Sequence, residues 1–127
     1  MGLLSVLVAG AAAWVFGALW YSVLSQRWLE AAELGEGDID PANPIPYIIS
    51  FLCAVLVAGM TRHILVGSGV ETLGGGFVSG LGLGLFIATP WIVTNYLYSQ
   101  RKPALIVIDG GYATLGCAII GAVLMFF

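Results

Sequence analysis

Asp109 carries the clearest chemical potential in this chain, because it lies about five residues, hence about 8 Å along a helix axis, inside an apolar run covering 104–127. A carboxylate at the centre of a bilayer costs about 2.5 to 3.5 kcal/mol on insertion scales. At this depth the cost is somewhat less, and such a group normally faces protein and finds a partner. Arg101 or Arg27 is the expected partner. Two neighbouring apolar runs offer polar and aromatic residues toward the same side: Trp20, Tyr21 and Ser22 on the first, and Trp91, Asn95 and Tyr98 on the third. Tyr112 joins Asp109 on the fourth. These residues recur three or four apart, on one face of their helices, so they can converge near Arg27, Arg101 and Lys102. Two chemistries are open to such a group. One is a lock, in which an ion pair with Tyr112 and Asn95 as donors holds the fourth helix against the third. The other is a proton or ion relay, or a polar headgroup site. Metal chemistry is not expected, since His63 is the one histidine and no carboxylate stands beside it. No nucleophile with its base and no phosphate-binding loop is legible.

The elements that must position these residues follow from a length argument. A hydrocarbon core of about 30 Å needs about 20 helical residues, and apolar runs of that length cover 3–24, 47–66, 75–97 and 104–127. Barrel strands would be shorter and would alternate apolar with polar. The fold class is therefore all-α: four transmembrane helices in a compact bundle, forming a single domain over 1–127. Composition agrees, with 60% hydrophobic residues, 9% charged residues and a mean hydropathy of +1.02. A soluble domain carries about 25% charged residues.

The first run lacks a basic start and continues past 15 apolar residues into Trp20, Tyr21 and Trp28, so it is expected to be retained rather than cleaved as a signal. The loop 25–46 holds Glu30, Glu33, Glu36, Asp38 and Asp40, then Pro41, Pro44 and Pro46. Its first half, 26–34, reads as a short interfacial helix with Trp28 and Leu29 facing lipid. Three of the four basic residues (Arg27, Arg101 and Lys102) fall in the first and third loops. The positive-inside rule puts those loops in the cytoplasm and both termini outside. No basic stripe exists for nucleic acid. Cys53 and Cys117 fall inside spans at different depths, about 9 Å and about 20 Å, and read as small buried residues without redox or metal roles.

In lipid, helices associate through close backbone approach at small residues and a few polar contacts. Every span carries such a stripe: Ala9, Ala13 and Gly17; Ser50, Ala54 and Ala58; Gly76, Gly80, Gly84 and Ala88; Ala113, Cys117 and Gly121. The stripes can satisfy one another inside the chain or serve a dimer or partner interface. Pro90 removes a bond to the Phe86 carbonyl and is expected to kink the third helix, with Thr89 covering the freed carbonyl. Arg62, on the Ala54 and Ala58 stripe, is expected to snorkel. Trp14, Trp20, Trp28 and Trp91, with Tyr21, Tyr47, Tyr96 and Tyr98, read as an aromatic belt, or as the rings of a pigment or quinone pocket.

Three segments together carry a family resemblance: Gly17-Ala18-Leu19-Trp20-Tyr21-Ser22, then Asn95-Tyr96-Leu97-Tyr98 ahead of Arg101-Lys102-Pro103, and Asp109-Gly110-Gly111-Tyr112. In this order, over nearly the whole chain, they resemble a small bacterial membrane family catalogued as domain-of-unknown-function family 1761. The chain departs after Ser22, where members often have a proline and then a Gly-Lys or similar pair; Val23, Leu24, Ser25 and Gln26 stand here. The resemblance implies four membrane helices and supplies no reaction.

The expectation is a small non-enzymatic protein of a bacterial inner (cytoplasmic) membrane, without cofactor. It would act through helix contacts, as a homodimer or as an accessory subunit of a larger bioenergetic or transport complex. The alternative is a dimeric channel or transporter for a small solute or ion, using the polar group around Asp109.

Overall fold

The computed structural model describes residues 2–127, and all regular structure among them is helical. The helices are α1 (Gly2–Val23), α2 (Ser25–Ala32), α3 (Ile45–Gly67), α4 (Leu73–Leu83), α5 (Thr89–Tyr98) and α6 (Pro103–Leu124). A wider π-helical turn, Gly84–Ala88, joins α4 to α5 without a break. The result is four helices long and apolar enough to cross a membrane: Gly2–Val23, Ile45–Gly67, Leu73–Tyr98 and Pro103–Leu124. At about 1.5 Å per residue the shortest of them reaches past a core of about 30 Å.

Local chemistry sets the ends. Pro46 and Pro103 occupy first-turn positions, where the missing N–H would have no helical partner anyway. Thr72 caps α4, its hydroxyl accepting the Gly75 N–H at 3.0 Å. At the other ends α2, α3 and α5 each stop on a left-handed residue, namely Glu33, Gly69 and Gln100. The following N–H then reaches back across the turn, Leu34 to Leu29, Val70 to Leu65 and Arg101 to Tyr96. Glycine adopts that conformation freely, whereas Glu33 and Gln100 each carry a cost of about 1 kcal/mol.

α6 is the hub of the bundle, packing on α1, α3, α4, α5, the π turn and α2. Its closest partner is α4. A Cβ added at Gly76 would strike the Gly121 carbonyl, and one at Gly80 would strike the Cys117 carbonyl. At Gly84 an added Cβ would fall 2.6 Å from the Thr114 Cα. At Gly80 and Gly84 the two backbones therefore meet directly, while at Gly76 the Met125 side chain also closes on the glycine. α1 packs on α3 and α6 through Ala9, Ala13, Ala58, Leu65, Ile120 and Leu124, which form one buried cluster. α3 leans mainly on α1 and stands apart from α5. Side chains such as Leu56, Phe86 and Val107 are more than 70% exposed around the outside, an apolar mantle that suits lipid rather than water.

The first loop differs from expectation in one respect. Its helix spans Ser25–Ala32, and Trp28 turns inward instead of facing lipid, meeting Tyr21 edge-on at 6.3 Å. Ala31 and Ala32 beside it are buried against Leu105 and Ile108, because this short helix docks on the start of α6 and gains protein contacts there.

Candidate functional site

Asp109 sits on the second turn of α6, half-buried, at the end of the bundle that carries the α1–α3 and α5–α6 connections. Both carboxylate oxygens accept short hydrogen bonds from phenols. Tyr21 donates to Oδ1 at 2.6 Å and Tyr96 donates to Oδ2 at 2.6 Å. One carboxylate thus ties three spans together. Charge-assisted O–H···O⁻ bonds of this length are roughly twice as strong as neutral ones.

The expected arginine partners lie elsewhere. Arg101 donates to the Ala32 carbonyl at 3.0 Å, at the C-terminal end of α2, where the helix dipole favours a cation. The left-handed turn at Gln100 aims it there. Arg27 is exposed on α2. Among the described residues, the ion pair that forms joins Lys102 to Glu33 at 4.0 Å, on the surface.

Of the polar group read from the helix faces, Trp20, Tyr21, Asp109 and Tyr112 come together. Trp20 donates to the Ile108 carbonyl at 2.9 Å and Tyr112 to the Ala13 carbonyl at 3.3 Å. Tyr112 also meets Tyr21 edge-on at 5.4 Å, and Gly17 leaves room for its ring, since a Cβ there would come within 2.9 Å. Trp91, Asn95 and Tyr98 do not join. All three are exposed, Tyr98 at 87%, and Ser22 also points outward. Tyr96 takes the place assigned to Asn95.

The π turn is the physical reason. The Thr89 N–H bonds the Gly84 carbonyl, five residues back instead of four, which inserts one extra residue and rotates everything beyond it by about 100°. The inward face read as Ala88, Trp91 and Asn95 becomes Thr89, Ile92 and Tyr96. Pro90, with no N–H to give, lets the turn widen. Thr89 accordingly does not cover a freed carbonyl of its own helix. Its hydroxyl reaches across to α6, donating to the Gly110 carbonyl at 3.2 Å and lying 2.9 Å from the Thr114 hydroxyl.

Asp109 also opens on a groove. Between α3 and α5, floored by α6, lies a cavity of about 570 Å³ whose walls include Pro46, Ile49, Cys53, Val57, Ile92 and Ile120. Tyr21, Tyr96, Asp109 and Tyr112 form its polar end. The wall of α3 from Pro46 to Val57 runs about 16 Å, half a hydrocarbon core. Trp14 props the groove's back edge, donating to the Tyr47 carbonyl and the Ser50 hydroxyl, both at 3.1 Å. Both cysteines are free and line the groove; Cys117 is buried as expected, whereas Cys53 is exposed because the gap beside α3 leaves it uncovered. His63 is exposed on α3, and Arg62 covers Gly2, whose added Cβ would lie 3.1 Å from the guanidinium carbon. Groups of three or more His, Cys, Asp or Glu that could hold a metal are absent among the described residues.

Fold and site together define a small multi-pass helical membrane protein with a half-buried carboxylate at the polar end of a lateral groove. The chain belongs to the family described as protein of unknown function DUF1761, which matches residues 4–125. No curated protein and no solved structure matches it.

Proposed function

We propose that this is a non-enzymatic membrane protein that receives a small membrane-borne molecule in the groove between α3 and α5, with Asp109 fixing its polar end. The observation that carries the reading is the groove itself. Its volume of about 570 Å³ falls within the roughly 300 to 1,000 Å³ of small-molecule sites. Like those sites it pairs apolar walls with a few convergent polar groups. The non-enzymatic reading is supported by the make-up of the polar end, where the one carboxylate is bonded to two phenols and not to a thiol or an aliphatic hydroxyl.

Native mass spectrometry of protein released from gently extracted membranes tests this. A retained small molecule that disappears in Ala54→Trp, which fills the groove wall, is the expected result. An empty wild type, or retention unchanged by the tryptophan, overturns it.

A second reading keeps the homodimer or accessory subunit, in a bioenergetic or transport complex or as a dimeric pathway for a small solute. The glycines on which such docking would rest lie at the α4–α6 seam inside the chain. Its support is therefore the open side of α3, where Ile48, Leu52, Leu56 and Met60 are all more than half exposed and a neighbouring helix would close the groove. A clean monomer in lipid nanodiscs counts against it. Solute flux into proteoliposomes that vanishes with Asp109→Asn favours the pathway.

Sidedness belongs to the same proposal. The reading has the Asp109 end on the cytoplasmic side of a bacterial inner membrane, and its support is the positive-inside rule applied to Arg27, Arg101 and Lys102. Cysteines placed at Ser68 and Ser99 should then label from outside and from inside, respectively.

A further inference from the structure

We propose that the groove is a site for a lipophilic cation, an ammonium or similarly charged head on an apolar body, with Asp109 as its counter-ion. The inference rests on the groove being a ligand site and names the chemistry of what enters it.

Charge complementarity comes first. Asp109 is an acidic group at bilayer depth, and among the described residues no Lys or Arg pairs with it. Arg101 is committed to the Ala32 carbonyl, and Lys102 to Glu33 and the Glu30 carbonyl. What faces Asp109 from the packed elements is phenolic: Tyr21 on α1, Tyr96 on α5 and Tyr112 on its own helix. Two phenol dipoles hold the carboxylate in place, yet they leave its charge uncompensated. Such a group in a low-dielectric site is a strong attractor for a mobile cation.

Geometry gives the second argument. Each Asp109 oxygen accepts one hydrogen bond here and has capacity for another. The carboxylate lines the cavity, so that capacity is open to an occupant. The surrounding tyrosine rings add π faces, the other element of ammonium recognition, which acts within about 6 Å of a ring centroid. Beyond this polar end the walls are mostly aliphatic, with Ser50, Cys53 and Cys117 among them, which matches an apolar body better than a hydrated ion. A small inorganic cation would lack the ring of oxygen ligands that replaces its water. A neutral hydroxyl head would use the hydrogen-bonding capacity and forgo the charge.

Tetraphenylphosphonium and tetraphenylborate share a shape and carry opposite charges, and tetraphenylsilane is their neutral counterpart. Labelled tetraphenylphosphonium is titrated onto the full chain in nanodiscs of neutral lipid, with tetraphenylsilane as competitor and tetraphenylborate titrated in a separate sample, since the two ions pair with each other. The expected result is saturable binding that weakens at least tenfold in Asp109→Asn and survives within a few-fold in Asp109→Glu, with no saturable binding of tetraphenylborate in its own titration. Thermal melting of each variant separates lost binding from lost fold. Equal binding by Asp109→Asn, or equal competition by tetraphenylsilane, overturns the cationic assignment and leaves the groove a ligand site. Saturable binding of labelled tetraphenylsilane alone does the same. If neither labelled probe binds saturably, the cationic assignment and the groove reading fall together.

Discussion

The α4–α6 seam and the α3–α5 gap lie on either side of the same helix and follow opposite packing rules. At the seam, Gly76, Gly80, Gly84 and Gly121 let the backbones touch, with the Met125 side chain lying beside Gly76. Across the gap, Ile49, Val57 and Ile92 stand between the helices, and Trp14 fixes α3 through its Tyr47 and Ser50 contacts. In water the hydrophobic effect would collapse such a gap. In lipid that force is missing, so side-chain size and a few polar contacts decide where helices meet and where a hollow persists.

The sharpest way to break this contrast is to put bulk into the seam. Gly80→Leu should cost about 3 kcal/mol, the upper end for overpacking, because the obstruction is the Cys117 backbone and not a movable side chain. Reversible unfolding in mixed micelles reads the loss. Gly74→Ala, on the same helix but with nothing within 4 Å of its Cβ, should stay within about 0.5 kcal/mol of wild type. Equal losses at the two positions would end the comparison.

A smaller effect is expected at the polar end of the gap. Asp109→Leu strands the Tyr21 and Tyr96 hydroxyls, at a cost of about 1 to 3 kcal/mol. Adding Tyr21→Phe and Tyr96→Phe to that variant should recover part of the loss, since no donor is then left unsatisfied. Additive losses in the triple variant would show that the phenols matter for something other than Asp109. The smallest effect is expected of Thr89→Val, which removes the hydroxyl link to Gly110 and Thr114. It should cost about 0.6 kcal/mol, the mean for hydrogen bonds between membrane helices.

What could be read in the amino-acid sequence depended on whether the helical ruler stayed regular. The four spans, and the placing of Trp20, Tyr21 and Tyr112 near Asp109, need only a 3.6-residue repeat and a bilayer thickness. Beyond Gly84 the ruler slips by one residue, and the face read as Ala88, Trp91 and Asn95 becomes Thr89, Ile92 and Tyr96. Pro90 marked an irregularity there without saying whether the helix would bend or widen. The arginines were misassigned for a different reason. Proximity in the chain puts Arg101 near Asp109, but the left-handed Gln100 points it at the end of α2, and neither that turn nor the docking of α2 is written in hydropathy. The groove was not legible either, because a hollow between helices depends on rotations that no single stripe encodes.

One consequence of α6 touching every other helix concerns the order of assembly. A ribosome delivers α1 and α3 first, and these two can pair as soon as both are in the bilayer. The third span has little to hold on α1 or α3, and its long row of glycines stays bathed in acyl chains until α6 emerges. Only then do Gly76 and Gly80 meet their counterparts and Asp109 reach its two phenols. A nascent chain stalled before that point would present the insertion machinery and the cell's membrane proteases with a half-made bundle, so α6 acts as the keystone whose arrival completes the arch.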